Sequence, residues 1–170
     1  MTYMYLSSEN MTIKVGDKLP NATLYEMTES GPSAVSADDL VRGKKVVLFS
    51  VPGAFTPTCS QAHLPGFVQN ADAIKAKGVD TIACISVNDA FVMGAWGDAQ
   101  GVGDKVRMLA DGSGDLAKAM DVELDLISRG LGIRSARYSM ILDEGTVMAF
   151  NLEDGGALEL SSAEKILEQL

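Results

Sequence analysis

KVVLFSVPGAFTPTCSQAHLPGF, residues 45–67, decides how the rest of the chain is read. Its first seven residues, Lys45–Val51, are β-branched and aromatic with little interruption, the pattern of a buried strand. Pro52-Gly53 ends that run in a turn. A helical pattern follows from about Thr58 to Lys77, with Gly78 as its stop. VDTIACISV, Val79–Val87, is then a second, nearly continuous apolar strand. Strand, helix and strand joined by short links make a right-handed crossover and a parallel pair.

Outward from this unit, a helix is expected over roughly Asp89–Gln100, a short strand over Val106–Ala110 and a weaker helix around Asp115–Met120. SMILD and TVMAF flank Glu144-Gly145 and read as an antiparallel hairpin. Ser162–Leu170 places Ile166, Leu167 and Leu170 at helical spacing. The expectation is one α/β domain over residues 11–170 with a mixed sheet, parallel first and hairpin last. The first ten residues, MTYMYLSSEN, show no clear period and read as a loose extension.

Composition narrows the function classes. Fourteen Lys and Arg stand against 23 Asp and Glu, a formal net charge of −9, which repels nucleic acid and anionic membranes. No apolar run approaches the ~20 residues of a membrane span, and the first residues lack the order of a signal peptide, so the cytosol is the expected compartment. Two cysteines, Cys59 and Cys84, are too few for a disulfide scaffold. His63 is the only histidine, which leaves a thiolate–imidazole metal site short of ligands.

Helix-start chemistry singles out Cys59. Thr56 suits an N-cap and Pro57 the first helical position, so Cys59 falls in the first turn, with its free N–H groups and positive dipole end. A thiol there loses its proton more readily, and the thiolate is the nucleophilic form. Pro52 and Pro57 restrict the loop, at the C-terminal end of a parallel strand where open α/β sheets place their sites. Pro65 cannot donate to the carbonyl of Gln61, so a bend is expected beyond the reactive turn. A lone cysteine at a strand end is also commonly a small buried hydrophobe, so this chemistry alone leaves both readings open. His63, four residues on, is either a thiolate–imidazolium partner or a wall of the pocket.

VPGAFTPTCSQAHLPGF, residues 51–67, resembles the peroxidatic-cysteine motif of peroxiredoxins of the type II, peroxiredoxin-five-like subfamily. ISVNDAFVMGAWGDA, VRMLADGSGDLAKAMDVELDL and RSARYSMILDEGTV resemble the same subfamily in the same order, and the likeness runs from about Met11 to Leu170. The resemblance implies a thioredoxin-like fold, a mixed central sheet flanked by helices. It also implies a thiol-dependent peroxidase acting on hydrogen peroxide and organic hydroperoxides, in the manner of bacterial glutathione- or glutaredoxin-dependent members.

In the family's PxxxTxxC pattern Pro52 matches the proline that shields the thiolate, Thr56 the hydroxyl that orients the peroxide, and Cys59 the nucleophile. The polarising arginine falls on Arg137, and Arg134 aligns with a second basic position. Thr56 is then expected to donate to the peroxide while accepting from the backbone. The resemblance implies no flavin, haem or metal, and a Cys59 sulfenic acid recycled by an external thiol: glutathione, glutaredoxin or thioredoxin. Relatives form homodimers, and Phe55, Phe91, Val92 and Trp96 are either apolar candidates for such an interface or residues packed within one chain.

NLEDGGALELSSAEKI, where some members carry a resolving cysteine, has none. Cys84 lies four residues before Asn88, roughly 13 Å below that strand end, and is expected to be a packed residue. Two rivals stay open at this point. A thiol–disulfide oxidoreductase would want CxxC, whose first position Thr56 occupies; a redox-sensing or binding module would keep the thiol without turnover.

Overall fold

The computed structural model describes residues 12–170, and the first ten residues, read above as an extension, lie outside the described part. The chain opens with β1 (Thr23–Thr28), β2 (Gly31–Ser36) and α1 (Ala37–Val41), followed by β3 (Lys45–Ser50). A π-helical turn (Cys59–His63) runs into α2 (Leu64–Ala76), then β4 (Thr81–Ser86), α3 (Ala90–Gln100), β5 (Arg107–Ala110) and α4 (Asp115–Ala119). A small hairpin, β6 (Glu123–Leu126) and β7 (Gly132–Ser135), precedes β8 (Tyr138–Asp143), β9 (Thr146–Leu152) and α5 (Ala163–Gln169).

Seven strands form one mixed sheet in the order β2-β1-β5-β4-β3-β8-β9, and β6-β7 stand apart as a second, two-stranded sheet. β3, β4 and β5 are parallel neighbours, while β8 runs antiparallel to β3. Alternate residues of β3 serve opposite faces. Val47 and Phe49 pack with Phe67 and Ile74 of α2, whereas Val46 and Leu48 join Leu40 of α1 and Leu116 of α4. Both faces are therefore covered, which is why the strand reads as unbroken apolar sequence. With helices on both sides of a mixed sheet, the fold is thioredoxin-like.

Two expectations are corrected. The sheet is not parallel at its start: β1 and β2 form an antiparallel hairpin at its edge. Their burial is weak and irregular, with Leu24 the one fully enclosed side chain, so no two-residue period marks them. Second, the helical irregularity lies within the reactive turn rather than beyond it. Leu64 N–H bonds back five residues to the Cys59 carbonyl, and the widened turn ends just before Pro65, whose ring would crowd the carbonyl of an α-helical residue 61. Of the two readings of Trp96, packing within the chain is the one the structure shows: it is fully buried and its Nε1 donates to Ser60 Oγ at 3.0 Å. Phe55 and Phe91, in contrast, are 57% and 66% exposed.

Candidate active site

The loop after β3 is held by local bonds before it is held by anything distant. Thr56 Oγ1 donates to the Gly53 carbonyl at 2.6 Å, and Ser60 N–H closes the first helical turn on the Thr56 carbonyl at 2.9 Å. The Thr56 hydroxyl thus donates to the loop rather than to a peroxide, a correction to the sequence expectation that leaves its lone pairs as acceptors. Phe55 sits at φ +63°, an uncommon conformation for a bulky side chain that the surrounding bonds must hold. One of those bonds comes from Asn88, just past β4, whose Oδ1 accepts from Ala54 N–H at 3.0 Å and from Ser86 Oγ at 2.7 Å. Asn88 was not singled out from the sequence, where the pair Asn88-Asp89 after a strand is a common helix entry. Gly53 sits at a close approach, since a Cβ there would lie 3.1 Å from both Arg134 Nη1 and Thr56 Cγ2.

Cys59 heads the π turn and is almost fully buried. Arg137, immediately before β8 and only 2% exposed, reaches it from the neighbouring strand: Nη2 lies 3.3 Å from Cys59 Sγ. A guanidinium at that distance stabilises negative charge on sulfur. Its other terminal nitrogen, Nη1, lies 2.8 Å from His63 Nδ1, and His63 Nε2 lies 2.9 Å from the Ser161 carbonyl.

Those two contacts assign the imidazole. A carbonyl oxygen only accepts, so Nε2 carries the proton and Nδ1 accepts from Arg137. Burial and then the Arg137 charge lower the His63 pKa from 6.5 to about 3. His63 is therefore neutral and braces the arginine. The thiolate–imidazolium pairing entertained from the sequence does not form, because the guanidinium takes the histidine's free nitrogen.

Arg134, on β7, donates from Nε to the Leu131 carbonyl at 2.7 Å and from Nη1 to the Pro52 carbonyl at 3.3 Å. It ties the small hairpin to the loop after β3. Pro52, Thr56 and Arg137 open onto a cleft of about 640 Å³ whose other wall includes Leu126 and Leu131 of that hairpin region. Cys84 is fully buried in β4 beside Phe49, and burial pushes its thiol well above the usual range. It stands two residues before the end of β4, not four, so its depth below that end is roughly 7 Å, shorter than the sequence-based figure. Among the described residues no group of His, Cys, Asp and Glu is arranged to hold a metal, and no helix is long and apolar enough to cross a membrane.

A thioredoxin-like sheet, a buried cysteine opening a helix at its carboxyl edge, and a guanidinium on the sulfur define a thiol-based redox protein whose CxxC position is filled by threonine. Comparison with known proteins makes this specific: the Redoxin family model matches residues 14–167, and the chain belongs to that family. The chain is 54% identical over 164 residues to peroxiredoxin-2E-2, chloroplastic, of Oryza sativa subsp. japonica, covering 94% of this chain and 73% of that one. It is 48% identical to peroxiredoxin-2D of Arabidopsis thaliana, with 93% and 98% covered. Crystalline reduced Prx3 of Vibrio vulnificus in complex with hydrogen peroxide superposes with a TM-score of 0.89 at 53% identity, covering 92% of this chain and 98% of that one. Peroxiredoxin 5 of Alvinella pompejana gives a TM-score of 0.80 at 38% identity, with 92% and 97% covered. The protein is a peroxiredoxin, an enzyme that reduces peroxide at the expense of a thiol.

Proposed function

We propose that Cys59 is the peroxidatic thiol, that hydrogen peroxide and organic hydroperoxides are its substrates, and that glutathione, alone or with glutaredoxin, recycles it. The observation that carries the residue roles is the two-sided use of Arg137. Nη2 holds the sulfur while Nε, buried and without a hydrogen-bond partner among the described residues, is a free donor beside it. One cation thus spans nucleophile and the neighbouring peroxide oxygen. Thr56 presents acceptor lone pairs to the hydroperoxide O–H, and Pro52 lines the cleft beside it.

The thiolate attacks the terminal oxygen, an S–O bond forms, the O–O bond breaks, and the departing alkoxide or hydroxide takes a proton. Cys59 loses two electrons and the peroxide gains them. Arg137 stabilises the charge that develops on the leaving oxygen, where a fixed donor is most effective. Glutathione then displaces water from the sulfenic acid to form a mixed disulfide, and a second glutathione releases Cys59 with oxidised glutathione as product. An external thiol is favoured because Cys84, the only other cysteine, is fully enclosed. A glutathione-rich cytosol suits that cycle. Leu126 and Leu131 along the cleft give an alkyl group apolar surface, which supports organic hydroperoxides. The exposed apolar side chains of Phe55 and Phe91 support a homodimer.

Peroxide consumption with glutathione as donor tests the assignment. Cys59→Ser is expected to abolish turnover with the fold retained by circular dichroism, and substantial residual turnover would remove Cys59 from the mechanism.

A further inference from the structure

Arg137 is useful only if its guanidinium is held where sulfur and peroxide meet, and the groups holding it lead away from the site. Behind Arg137 stands His63, and behind His63 stands the carbonyl of Ser161, a fully buried residue in the segment between β9 and α5. That segment carries Gly155 and Gly156 and no helix or strand. Its conformation before α5 is set by one carboxylate. Glu153 Oε2 accepts from the N–H groups of Glu159, Leu160 and Ser161 at 2.9, 2.8 and 2.8 Å and from Ser161 Oγ at 2.7 Å. Four donors converging on one oxygen of a residue only 6% exposed form a built anion site that the chain fills itself. Glu153 also touches the other end of the arginine, since its own N–H donates to the Arg137 carbonyl at 3.0 Å.

We infer that Glu153 is a positioning residue for the peroxidase reaction, setting the pose of Arg137 through Ser161 and His63. It touches neither sulfur nor cleft; it fixes the Ser161 carbonyl, which fixes the imidazole's tautomer and orientation, which fixes Nη1 and hence the aim of Nη2 and Nε. Ionisation suits the role, because three amides and a hydroxyl are bound more strongly by a carboxylate than by a neutral oxygen. Burial alone would raise the Glu153 pKa, but the Ser161 hydroxyl and the three amides outweigh it and leave the group below the ordinary carboxylate range.

The inference rests on Arg137 acting on the peroxide, so the experiment measures both. Two second-order rates are followed for Cys59 in the intact protein: oxidation by hydrogen peroxide and alkylation by iodoacetamide, which uses the same thiolate but expels iodide from carbon, so that no charge develops on a leaving oxygen. Glu153→Gln keeps the shape and one acceptor; it is expected to slow oxidation about tenfold and alkylation less than threefold. His63→Asn keeps an acceptor near the Nδ1 position but loses the link to Ser161, and is expected to do the same. In the double variant the two losses should not multiply, because both cut one chain. Normal oxidation in Glu153→Gln, equal slowing of both reactions, or multiplicative losses would overturn the inference. Should Glu153→Gln fail to fold, His63→Asn decides by the same comparison: selective slowing of oxidation supports the relay and an unchanged rate refutes it. Arg137→Ala separates the two levels, since normal oxidation in that variant would refute the role of Arg137 itself.

Discussion

The neutral, buried state of His63 makes acid stability a direct test of how the site is assembled. Unfolding exposes the imidazole to water, where it protonates with an ordinary pKa of 6.5; in the folded protein it stays neutral down to about 3. Between those values the unfolded chain binds one more proton, so stability is fully present above the unfolded value and declines as pH falls through the interval. Going from pH 7 to pH 5 the loss is about 2 kcal/mol, a figure set almost wholly by the unfolded pKa because the folded value lies well below 5. For a chain of this size that corresponds to a fall in Tm of about 4–8 °C.

The interval is unusually clean, since His63 is the only histidine. Glu153, held below the ordinary carboxylate range, contributes stability that is lost only at lower pH. Asp111, raised by burial against the amides of Ala117 and Leu116, acts in the opposite sense and gains on acidification. Comparing wild type with His63→Asn by urea denaturation at both pH values cancels these background groups. Wild type should lose about 2 kcal/mol more than the variant. Equal losses in the two proteins, or an imidazole NMR signal titrating above pH 5 in the folded state, would refute the neutral-histidine assignment.

Other expectations follow from individual contacts. Arg137→Ala should lower the rate of Cys59 oxidation by roughly 10²-fold or more, the scale for losing a fixed donor at a developing oxyanion, while Arg134→Ala, which removes a brace on the Pro52 carbonyl, should cost less than about tenfold; equal losses in stopped-flow oxidation would count against the assignment. Thr56→Val should reduce kcat/KM for peroxide about tenfold and Thr56→Ser should restore most of it, because only the hydroxyl bonds the Gly53 carbonyl and offers lone pairs to substrate; an active valine variant would remove that role. Cys84→Ser should keep most glutathione-supported turnover, and mass spectrometry after peroxide and limiting glutathione should find the adduct on Cys59; lost turnover together with a quantitative Cys59–Cys84 disulfide in wild type would make the enzyme a two-cysteine type.

How much of this was legible in the sequence depends on how local each cause is. Lys45–Ser50 and Thr81–Ser86 are buried on both faces, so their composition alone marks them as central strands, and Thr56-Pro57 marks the helix start that Cys59 occupies. The outer hairpin of Thr23–Thr28 and Gly31–Ser36 and the short hairpin carrying Arg134 left no such mark, because each buries too few side chains to impose a period. Pro65 announced a disturbed helix, but that the turn to widen is Cys59–His63, ahead of the proline, is visible only in the structure. The motif pointed to Arg137; that its guanidinium would divide itself between a sulfur 78 residues away and a histidine 74 residues away is a property of strands brought side by side. His63 shows the limit most plainly. Its spacing from Cys59 is helical and local, and suggested a partner for the thiol. Its actual partners, Arg137 and Ser161, come from the far end of the chain, and only burial between them removes its proton and turns it from a candidate base into a brace.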